Sequence, residues 1–116
     1  MSEIPEIDPE AVAAALDEEE SALLLDVRTT GEFAAIHAAG AQNTPLNLLR
    51  AADVGDRNRP IYVICRSGRR SRDGARMLQE RGYSRVSNVT GGTSRWLQSG
   101  LPTARGTADS GPDREA

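Results

Sequence analysis

Short apolar blocks alternate with polar or alanine-rich stretches along this 116-residue chain. The clearest block runs from Ala22 to Val27 and contains three consecutive leucines. A second block runs from Ile61 to Ile64, directly before a cysteine. Apolar runs of this length are typical of strands that are buried on both faces of a sheet. The pattern predicts strands at residues 22–27, 41–44, 61–64 and 86–89.

Helix start and stop signals lie between these blocks. Asp8-Pro9-Glu10 is typical of a helix start, with Asp8 as the N-cap and Pro9 in the first helical position. Thr29 or Thr30 is expected to cap a short helix that runs through Ala35, and Gly82 is expected to end a longer one. The predicted helices cover residues 9–16, 30–35, 46–52, 71–81 and 93–98.

Strands that alternate with helices predict an α/β fold with a parallel sheet covered on both sides. We expect three layers, α/β/α, around a central, mainly parallel sheet of about five strands. Residues 22–102 would form the core, residues 1–21 a short strand and a helix packed on it, and residues 103–116 a disordered polar tail. Ligands of such sheets bind beyond the carboxyl ends of the strands, and the cysteine follows one of these ends.

Composition favours a single domain outside the membrane. Hydrophobic residues make up 38% of the chain and charged residues 27%. No apolar run approaches the roughly 20 residues that a membrane-spanning helix needs. The N-terminus is acidic and lacks the basic and apolar regions of a signal peptide. One cysteine cannot form an internal disulfide, so we expect a cytoplasmic protein rather than a secreted scaffold.

Charge is distributed unevenly, although the net charge is only −3. Residues 57–85 contain nine arginines and two acidic residues. A basic surface around a thiol favours an anionic substrate, because it raises the local concentration of the anion. Nucleic acid is not expected as a partner, since aromatic residues make up only 3% of the chain and the isoelectric point is about 5.1.

The candidate chemistry lies in the segment Cys65-Arg66-Ser67-Gly68-Arg69-Arg70-Ser71. This segment joins a predicted strand to a predicted helix, where backbone N–H groups converge on an anion. Such N–H groups and nearby guanidinium groups favour the thiolate over the thiol, which makes the sulfur a nucleophile. Gly68 permits a backbone conformation that a β-carbon would hinder, and Ser71 is expected to be the N-cap of the following helix.

Other side chains have weaker indications. Asp26 and Arg28 follow a neighbouring strand and are expected at the same edge of the sheet, where they order the site, or simply cap a turn or pair with each other. His37 is predicted to be structural, bonded to a backbone carbonyl, and Trp96 is predicted to lie in the core. There is no second cysteine or histidine to build a metal site, and no cofactor is expected.

Four motifs, in order, resemble the signatures of the single-domain rhodaneses, a family of sulfurtransferases. They are Leu25-Asp26-Val27-Arg28, then Glu32-Phe33 with His37, Gly40-Ala41, Asn43 and Pro45, then the segment 65–71, and finally Gly91-Gly92 with Trp96. The resemblance extends from about residue 22 to residue 102. It departs from the family at Ile36-His37-Ala38, where Gly-His-Ile is usual, and at Arg66, which bears on substrate preference.

This resemblance implies a rhodanese-like fold and a sulfurtransferase whose nucleophile is Cys65. A sulfane sulfur would pass from an anionic donor, thiosulfate or a persulfide, to Cys65, and the resulting persulfide would deliver it to a thiol, to cyanide or to a protein acceptor. The implied binding residues are Arg66, Ser67, Gly68, Arg69, Arg70 and Ser71, with Asp26 and Arg28 in support.

Two other functions stay open at this point. Related phosphatases, and with them arsenate reductase-like enzymes, carry an arginine six positions after the cysteine, in a loop that accommodates a phosphoryl group. This chain has Ser71 at that position, which disfavours such chemistry. A non-catalytic binding module of the same fold is the other alternative. The intact cysteine segment disfavours it, because inactive members typically lose the cysteine.

Overall fold

Strands and helices alternate through residues 3–107, the part of the chain that the computed structural model describes. The helices are α1 (Pro9–Glu18), α2 (Thr30–Ala35), α3 (Arg69–Glu80) and α4 (Gly92–Gln98), and a 3₁₀ helix covers Leu46–Leu48. The strands are β1 (Glu6–Ile7), β2 (Leu23–Asp26), β3 (His37–Ala38), β4 (Gln42–Asn43), β5 (Ile61–Ile64), β6 (Val86–Val89) and β7 (Thr103–Ala104). None of the helices in this range is long and apolar enough to cross a membrane.

Five of the strands form one sheet in the order β1-β6-β5-β2-β4. Every neighbouring pair in this sheet is parallel. The two central strands, β2 and β5, run level with each other, and Asp26 lies opposite Ile64 at their carboxyl ends. The segments that follow these two strands therefore emerge side by side at one edge of the sheet.

Side chains of the central strands point alternately into two apolar layers. In β2, Leu23 and Leu25 pack in the layer that contains Leu78 of α3. Leu24 packs on the opposite face, in the layer that contains Trp96 of α4. Helices thus cover both faces of the sheet, which confirms the predicted α/β/α architecture. Trp96 is 1% exposed, so its predicted place in the core is also confirmed.

The N-terminal residues add an edge strand and a helix. β1 pairs in parallel with β6, and α1 begins at Pro9 as predicted. Asp8 precedes the helix in an extended conformation, but its side chain makes no capping hydrogen bond. Since β1 is a strand of the central sheet, this segment is continuous with the fold of the residues that follow.

The segment predicted as a helix over residues 46–52 is instead a short 3₁₀ helix followed by turns. Its backbone bonds join residues three apart, as in the bond from Leu49 N–H to the Leu46 carbonyl at 3.1 Å. Residues three apart share one face of a 3₁₀ helix. This geometry lets Leu46 and Leu49 pack together on the layer beside α3, whereas Leu48 is exposed.

The first residues of the predicted polar tail form a strand instead. Thr103 and Ala104 form β7, which pairs antiparallel with β3. Two hydrogen bonds to the carbonyl of Pro102, from Trp96 Nε1 at 2.8 Å and from the Ala39 N–H at 2.9 Å, hold the chain in place before this strand. The rest of the predicted tail, residues 108–116, lies outside the described residues.

His37 of β3 is a structural residue, as predicted. Its ring is buried and stacks on Phe33 with the ring centroids 3.6 Å apart. Nδ1–H donates to the Phe33 carbonyl at 2.7 Å. The ring therefore anchors the end of α2 to the small β3–β7 sheet.

Candidate functional site

The Cys65 loop, residues 65–71, leads from the end of β5 into the first turn of α3. Gly68 reverses the chain direction with φ +100° and is the N-cap of the helix. This left-handed conformation favours glycine, because a β-carbon is strained there. The prediction that Ser71 is the N-cap was wrong, since glycine at 68 lets the helix begin at Arg69 and places Ser71 within its first turn.

The Cys65 sulfur lies inside this loop and accepts backbone hydrogen bonds. The N–H groups of Gly68 and Ser71 both lie 3.2 Å from it. The residue as a whole is 1% exposed. Burial raises the pKa of the thiol, but the nearby Ser71 hydroxyl and the N–H groups of Ser71, Gly68 and Ser67 outweigh it and hold the pKa below its usual value.

Arg70 is part of the loop, but its guanidinium is paired with a carboxylate. Its guanidinium donates two hydrogen bonds to Glu32 of α2, at 3.1 and 3.2 Å. Hydrogen bonds from Arg70 and from the Thr29 N–H lower the pKa of Glu32 to about 2. The hydrogen bonds with Glu32 in turn raise the pKa of Arg70, and the negative charges of Cys65 and Asp26 act in the same direction. Arg70 thus ties α3 to α2 while contributing positive potential near the sulfur.

Arg66 and Arg69, the other two predicted binding arginines, are exposed. Within residues 3–107 neither one forms an ion pair with a carboxylate. Ser67 is also exposed. Of the arginines in the loop, these two therefore have guanidinium groups that are available to an incoming anion.

Asp26 and Arg28 lie beside the loop at the end of β2 and form a buried ion pair. Arg28 Nη2 lies 2.8 Å from Asp26 Oδ2, and its Nε donates to both carboxylate oxygens. Arg28 Nη2 also donates to the Ile36 carbonyl at 2.7 Å. The structure thus shows the mutual pair, one of the alternatives that the sequence left open. Because its hydrogen bonds are satisfied, the pair braces the strand end instead of presenting a free charge.

The first turn of helix α4 is hydrogen-bonded to the start of the Cys65 loop. The N–H groups of Thr93 and Ser94 donate to the carbonyls of Cys65 and Arg66, at 2.8 and 3.0 Å. A β-carbon at Gly92 would lie 2.4 Å from the Cys65 carbonyl oxygen, so this close approach requires glycine. The Gly91-Gly92 pair singled out in the sequence therefore seats α4 directly against the cysteine.

A groove of about 390 Å³ opens between α2 and α4 next to Arg66. We name it the Thr93 groove; its lining is Arg28, Glu32, Ala35, Ile36, Arg66, Thr93, Ser94 and Leu97. Thr93 is 3% exposed, and its hydroxyl has no hydrogen-bond partner among residues 3–107. Leu97 is 42% exposed at the rim. The groove combines an apolar wall with an unpaired hydroxyl and an unpaired guanidinium.

Sequence reasoning missed two residues beneath the loop, Asn88 of β6 and Glu6 of β1. The buried Asn88 side chain donates from Nδ2 to both oxygens of Glu6, at 3.0 and 3.1 Å, and to the Gly68 carbonyl at 3.2 Å. The Ser71 hydroxyl donates to Asn88 Oδ1. A signal was present in the sequence, because Asn88 lies in a segment predicted to be a buried strand, residues 86–89. A buried amide needs specific hydrogen-bond partners.

The Cys65 sulfur, a nucleophile when ionised, lies among backbone N–H donors. Among residues 3–107, no group of three His, Cys, Asp or Glu side chains is placed to hold a metal ion. The donors around the Cys65 sulfur suit its attack on an electrophile that reaches the loop, because they stabilise negative charge on sulfur.

Comparison with known proteins gives consistent matches. A family model described as Rhodanese-like domain matches residues 8–99. The chain is 40% identical over 96 residues to the putative sulfur carrier protein YrkF of Bacillus subtilis, a match that covers 82% of this chain and 52% of that protein. It is 35% identical over 112 residues to the thiosulfate sulfurtransferase GlpE of Pseudomonas fluorescens, covering 94% of this chain and 100% of that protein.

Solved structures agree with these matches. A thiosulfate sulfurtransferase from Pseudomonas aeruginosa has a TM-score of 0.81 at 28% sequence identity, covering 90% of this chain and 20% of that chain. The chain therefore spans about half the length of the Bacillus relative and a fifth of this solved chain, whereas it matches the whole of the Pseudomonas fluorescens protein.

Proposed function

This chain belongs to the rhodanese-like family, and from that membership we propose that it is a sulfurtransferase in which Cys65 carries the transferred sulfur. The observation that carries the proposal is the hydrogen bonding of the Cys65 sulfur, which accepts hydrogen bonds from two backbone N–H groups, each at 3.2 Å. These donors are in place before a substrate arrives and stabilise negative charge on the sulfur. The same loop suits a persulfide, which is also anionic.

In the first half of the cycle, the Cys65 thiolate attacks the outer sulfur of thiosulfate. A bond forms between Cys65 Sγ and that sulfur, while the bond between the two sulfurs of thiosulfate breaks. The electron pair of the broken bond leaves with the sulfonate group as sulfite. Total charge is conserved, since one thiolate and one thiosulfate dianion become one persulfide anion and one sulfite dianion. A persulfide donor would react in the same way and release a thiolate.

In the second half, an acceptor attacks the outer sulfur of the Cys65 persulfide. With cyanide the products are thiocyanate and the Cys65 thiolate, and with a thiolate acceptor they are a new persulfide and the Cys65 thiolate. No second thiol of the protein is needed, which suits a chain with one cysteine. A protein thiol is an acceptor of the same chemistry, and the relative named as a putative sulfur carrier is consistent with this role.

Selectivity for an anionic donor is assigned to Arg66 and Arg69. Both are exposed and unpaired with any carboxylate of residues 3–107, whereas Arg70 is engaged by Glu32. We assign binding of the donor or acceptor to the Thr93 groove, which includes Arg66 in its lining. We also place the protein in the cytoplasm, where reducing conditions keep a lone catalytic thiol available.

The test is steady-state formation of thiocyanate from thiosulfate and cyanide. The wild-type protein is expected to turn over, and Cys65→Ser to be inactive while keeping its fold. Arg69→Ala is expected to raise KM for thiosulfate several-fold, since it removes one unpaired cation. An unchanged thiosulfate rate in Arg69→Ala would remove its assigned role. Turnover by Cys65→Ser at the wild-type rate would overturn the proposal itself.

A further inference from the structure

The peptide group between Gly68 and Arg69 has a β-carbon only on its Arg69 side. Gly68 adopts φ +100° and ψ −1°, a region in which glycine rotates with little steric cost. In a trans peptide the carbonyl and the N–H point in opposite directions. Rotation of this peptide, shared between ψ of Gly68 and φ of Arg69, would therefore turn its carbonyl toward the loop interior and its N–H away from it.

That exchange matters because the peptide lies between the two donors of the Cys65 sulfur. The N–H groups of Gly68 and Ser71, one on each side of it, both donate to Sγ. A carbonyl dipole turned inward between them would repel a thiolate or a persulfide anion. The orientation of a single peptide group thus decides whether the loop is complementary to an anionic sulfur.

The structure holds this peptide through the side chain of Asn88. The Gly68 carbonyl accepts from Asn88 Nδ2 at 3.2 Å, so it is directed toward β6. The other hydrogen of Nδ2 is shared by the two oxygens of Glu6, at 3.0 and 3.1 Å. Both hydrogens of the amide are therefore used.

Glu6 decides which way the Asn88 amide points. In the reverse orientation, Asn88 Oδ1 would face the Glu6 carboxylate and the Gly68 carbonyl, which are both acceptors only. Glu6 is itself held by Thr90 Oγ1 at 3.1 Å and by an ion pair with Arg72 at 2.9 Å. Glu6, on an edge strand more than sixty residues before Gly68, therefore determines that the Asn88 amide presents its N–H, and not its oxygen, to the Gly68 carbonyl.

We propose that Asn88, oriented by Glu6, is a positioning residue that locks the 68–69 peptide with its carbonyl directed away from the Cys65 sulfur. The inference deepens the proposed function and rests on it for its effect on turnover. Its effect on the thiol is separate, because alkylation of Cys65 requires no sulfur transfer. Neither Asn88 nor Glu6 touches the sulfur, so both act through the loop.

Because of the Ser71 hydroxyl, the direction in which the Cys65 pKa changes on removal of Asn88 tests the proposal. This hydroxyl has one proton and donates it to Asn88 Oδ1, although it also lies where it lowers the pKa of Cys65. Removal of Asn88 frees that proton for the sulfur, which would lower the thiol pKa further. It also frees the 68–69 peptide to turn its carbonyl inward, which would raise the thiol pKa. The proposal requires the second effect to dominate.

The charged groups around this part of the molecule remain in place when Asn88 is changed. They are Arg66 and Arg69 in the loop, Glu6 on β1, the Asp26–Arg28 pair at the end of β2, Glu32 on α2, and Arg70 and Arg72 on α3. Slower alkylation of Cys65 in an Asn88 variant therefore reports the orientation of the loop, because no charge is added or removed and the freed Ser71 proton acts in the opposite direction.

The experiment measures the rate of Cys65 alkylation by iodoacetamide as a function of pH, for the folded protein and four variants. Asn88→Ala is expected to slow alkylation at pH 7 by roughly tenfold, the effect of losing one hydrogen bond to a charged group, and to move the pH profile upward. Glu6→Ala should change the profile in the same direction by a smaller amount. Glu6→Gln keeps an acceptor for Asn88 and should restore the wild-type profile.

Thr90→Val is the matched control. It removes another hydrogen bond to Glu6 and leaves the bond to Asn88 intact, so its pH profile should equal that of the wild type. Thermal unfolding of each variant separates a loss of stability from a change in the thiol. If Asn88→Ala does not fold, Glu6→Ala carries the test, because Glu6 is exposed. An unchanged profile, or one that moves to lower pH, in a folded Asn88→Ala or Glu6→Ala protein would overturn the proposal.

Discussion

Helices α2 and α3 begin next to each other at the carboxyl end of the sheet, and they differ in what caps their first turn. In α2 the N–H of Glu32 donates to Thr29 Oγ1 at 3.2 Å, and the Glu32 carboxylate accepts from the Thr29 N–H at 3.0 Å. In α3 the N–H at the same helical position, that of Ser71, donates to the Cys65 sulfur at 3.2 Å. The N-cap Gly68 has no side chain to take this role.

This difference distinguishes a structural helix start from a reactive one. The first N–H groups of any helix need acceptors from outside the helix. In α2 the acceptor is a hydroxyl oxygen that stays neutral, so the capping box only stabilises the helix. In α3 the acceptor is an ionisable sulfur, and the same unsatisfied N–H groups favour its anionic form. A helix start can form a reactive site when the atom that accepts hydrogen bonds from its first N–H groups is a nucleophile.

The largest expected effect comes from placing a β-carbon at the reactive helix start. Gly68→Ala forces alanine into φ +100° and is expected to destabilise the protein by about 1–2 kcal/mol. It should also reduce sulfur transfer by at least roughly tenfold, because relief of the strain moves the N–H groups away from the sulfur. Chemical denaturation and the thiocyanate assay measure the two effects.

Gly31→Ala is the control at the structural helix start. Gly31 lies in the first turn of α2, and a β-carbon there would meet nothing within 4 Å. The substitution is expected to stabilise the protein by roughly 0.4–1 kcal/mol and leave sulfur transfer unchanged. Equal losses of activity in the two alanine variants would contradict the distinction between the helix starts.

A smaller effect is expected when the side-chain cap of α2 is removed. Thr29→Ala deletes the oxygen that accepts from Glu32 N–H and should cost about 1 kcal/mol of stability. The rate of Cys65 alkylation should stay within about twofold of the wild type, because no donor to the sulfur is touched. A tenfold slower alkylation in the folded variant would mean that the two helix starts are coupled.

The smallest effect concerns the ion pair that links the two helix starts. The folded pKa of Glu32 is about 2, below its ordinary value of 4.5. Its stabilising contribution is therefore complete above about pH 4.5 and is lost as the pH falls through 2. The side chains of Arg70 and Glu32 are 41% and 35% exposed, so solvent screening limits the contribution to less than about 1 kcal/mol.

Glu32→Gln isolates this contribution. The variant should be slightly less stable than the wild type at pH 7, and the difference should vanish only below pH 2, where Glu32 becomes protonated in the folded protein. Denaturation midpoints across this pH range measure the difference. A stability difference that stayed constant with pH would mean that packing or capping by residue 32, and not its charge, accounts for the effect.

Much of the fold could be predicted from local patterns. β5 and β6 occupy the residues expected, because each is a short segment rich in β-branched residues that is bounded by turns. Thr29 and Glu32 have the spacing of a capping box, and α2 begins where that spacing indicates. These features are encoded within a few residues, so a single sequence is sufficient to find them.

The features that were missed depend on partners distant in the chain. Glu6 and Asn88 are separated by 82 residues and meet only because β1 lies beside β6 in the sheet. Thr103 looks like the start of a polar tail, and its strand exists only because β3 offers an edge. For Ser71, both a cap and a helix residue satisfy the local pattern, and the left-handed Gly68 decides between them.

The most direct test of the central claim is the intact mass of the non-reduced protein after incubation with thiosulfate, with Cys65→Ser alongside. We predict that the wild-type protein gains the mass of one sulfur atom, that Cys65→Ser gains nothing, and that cyanide removes the added sulfur. If folded wild-type protein whose Cys65 is readily alkylated gains no sulfur from thiosulfate or from a persulfide donor, then the anion-stabilising loop does not carry sulfur and the proposed function is wrong.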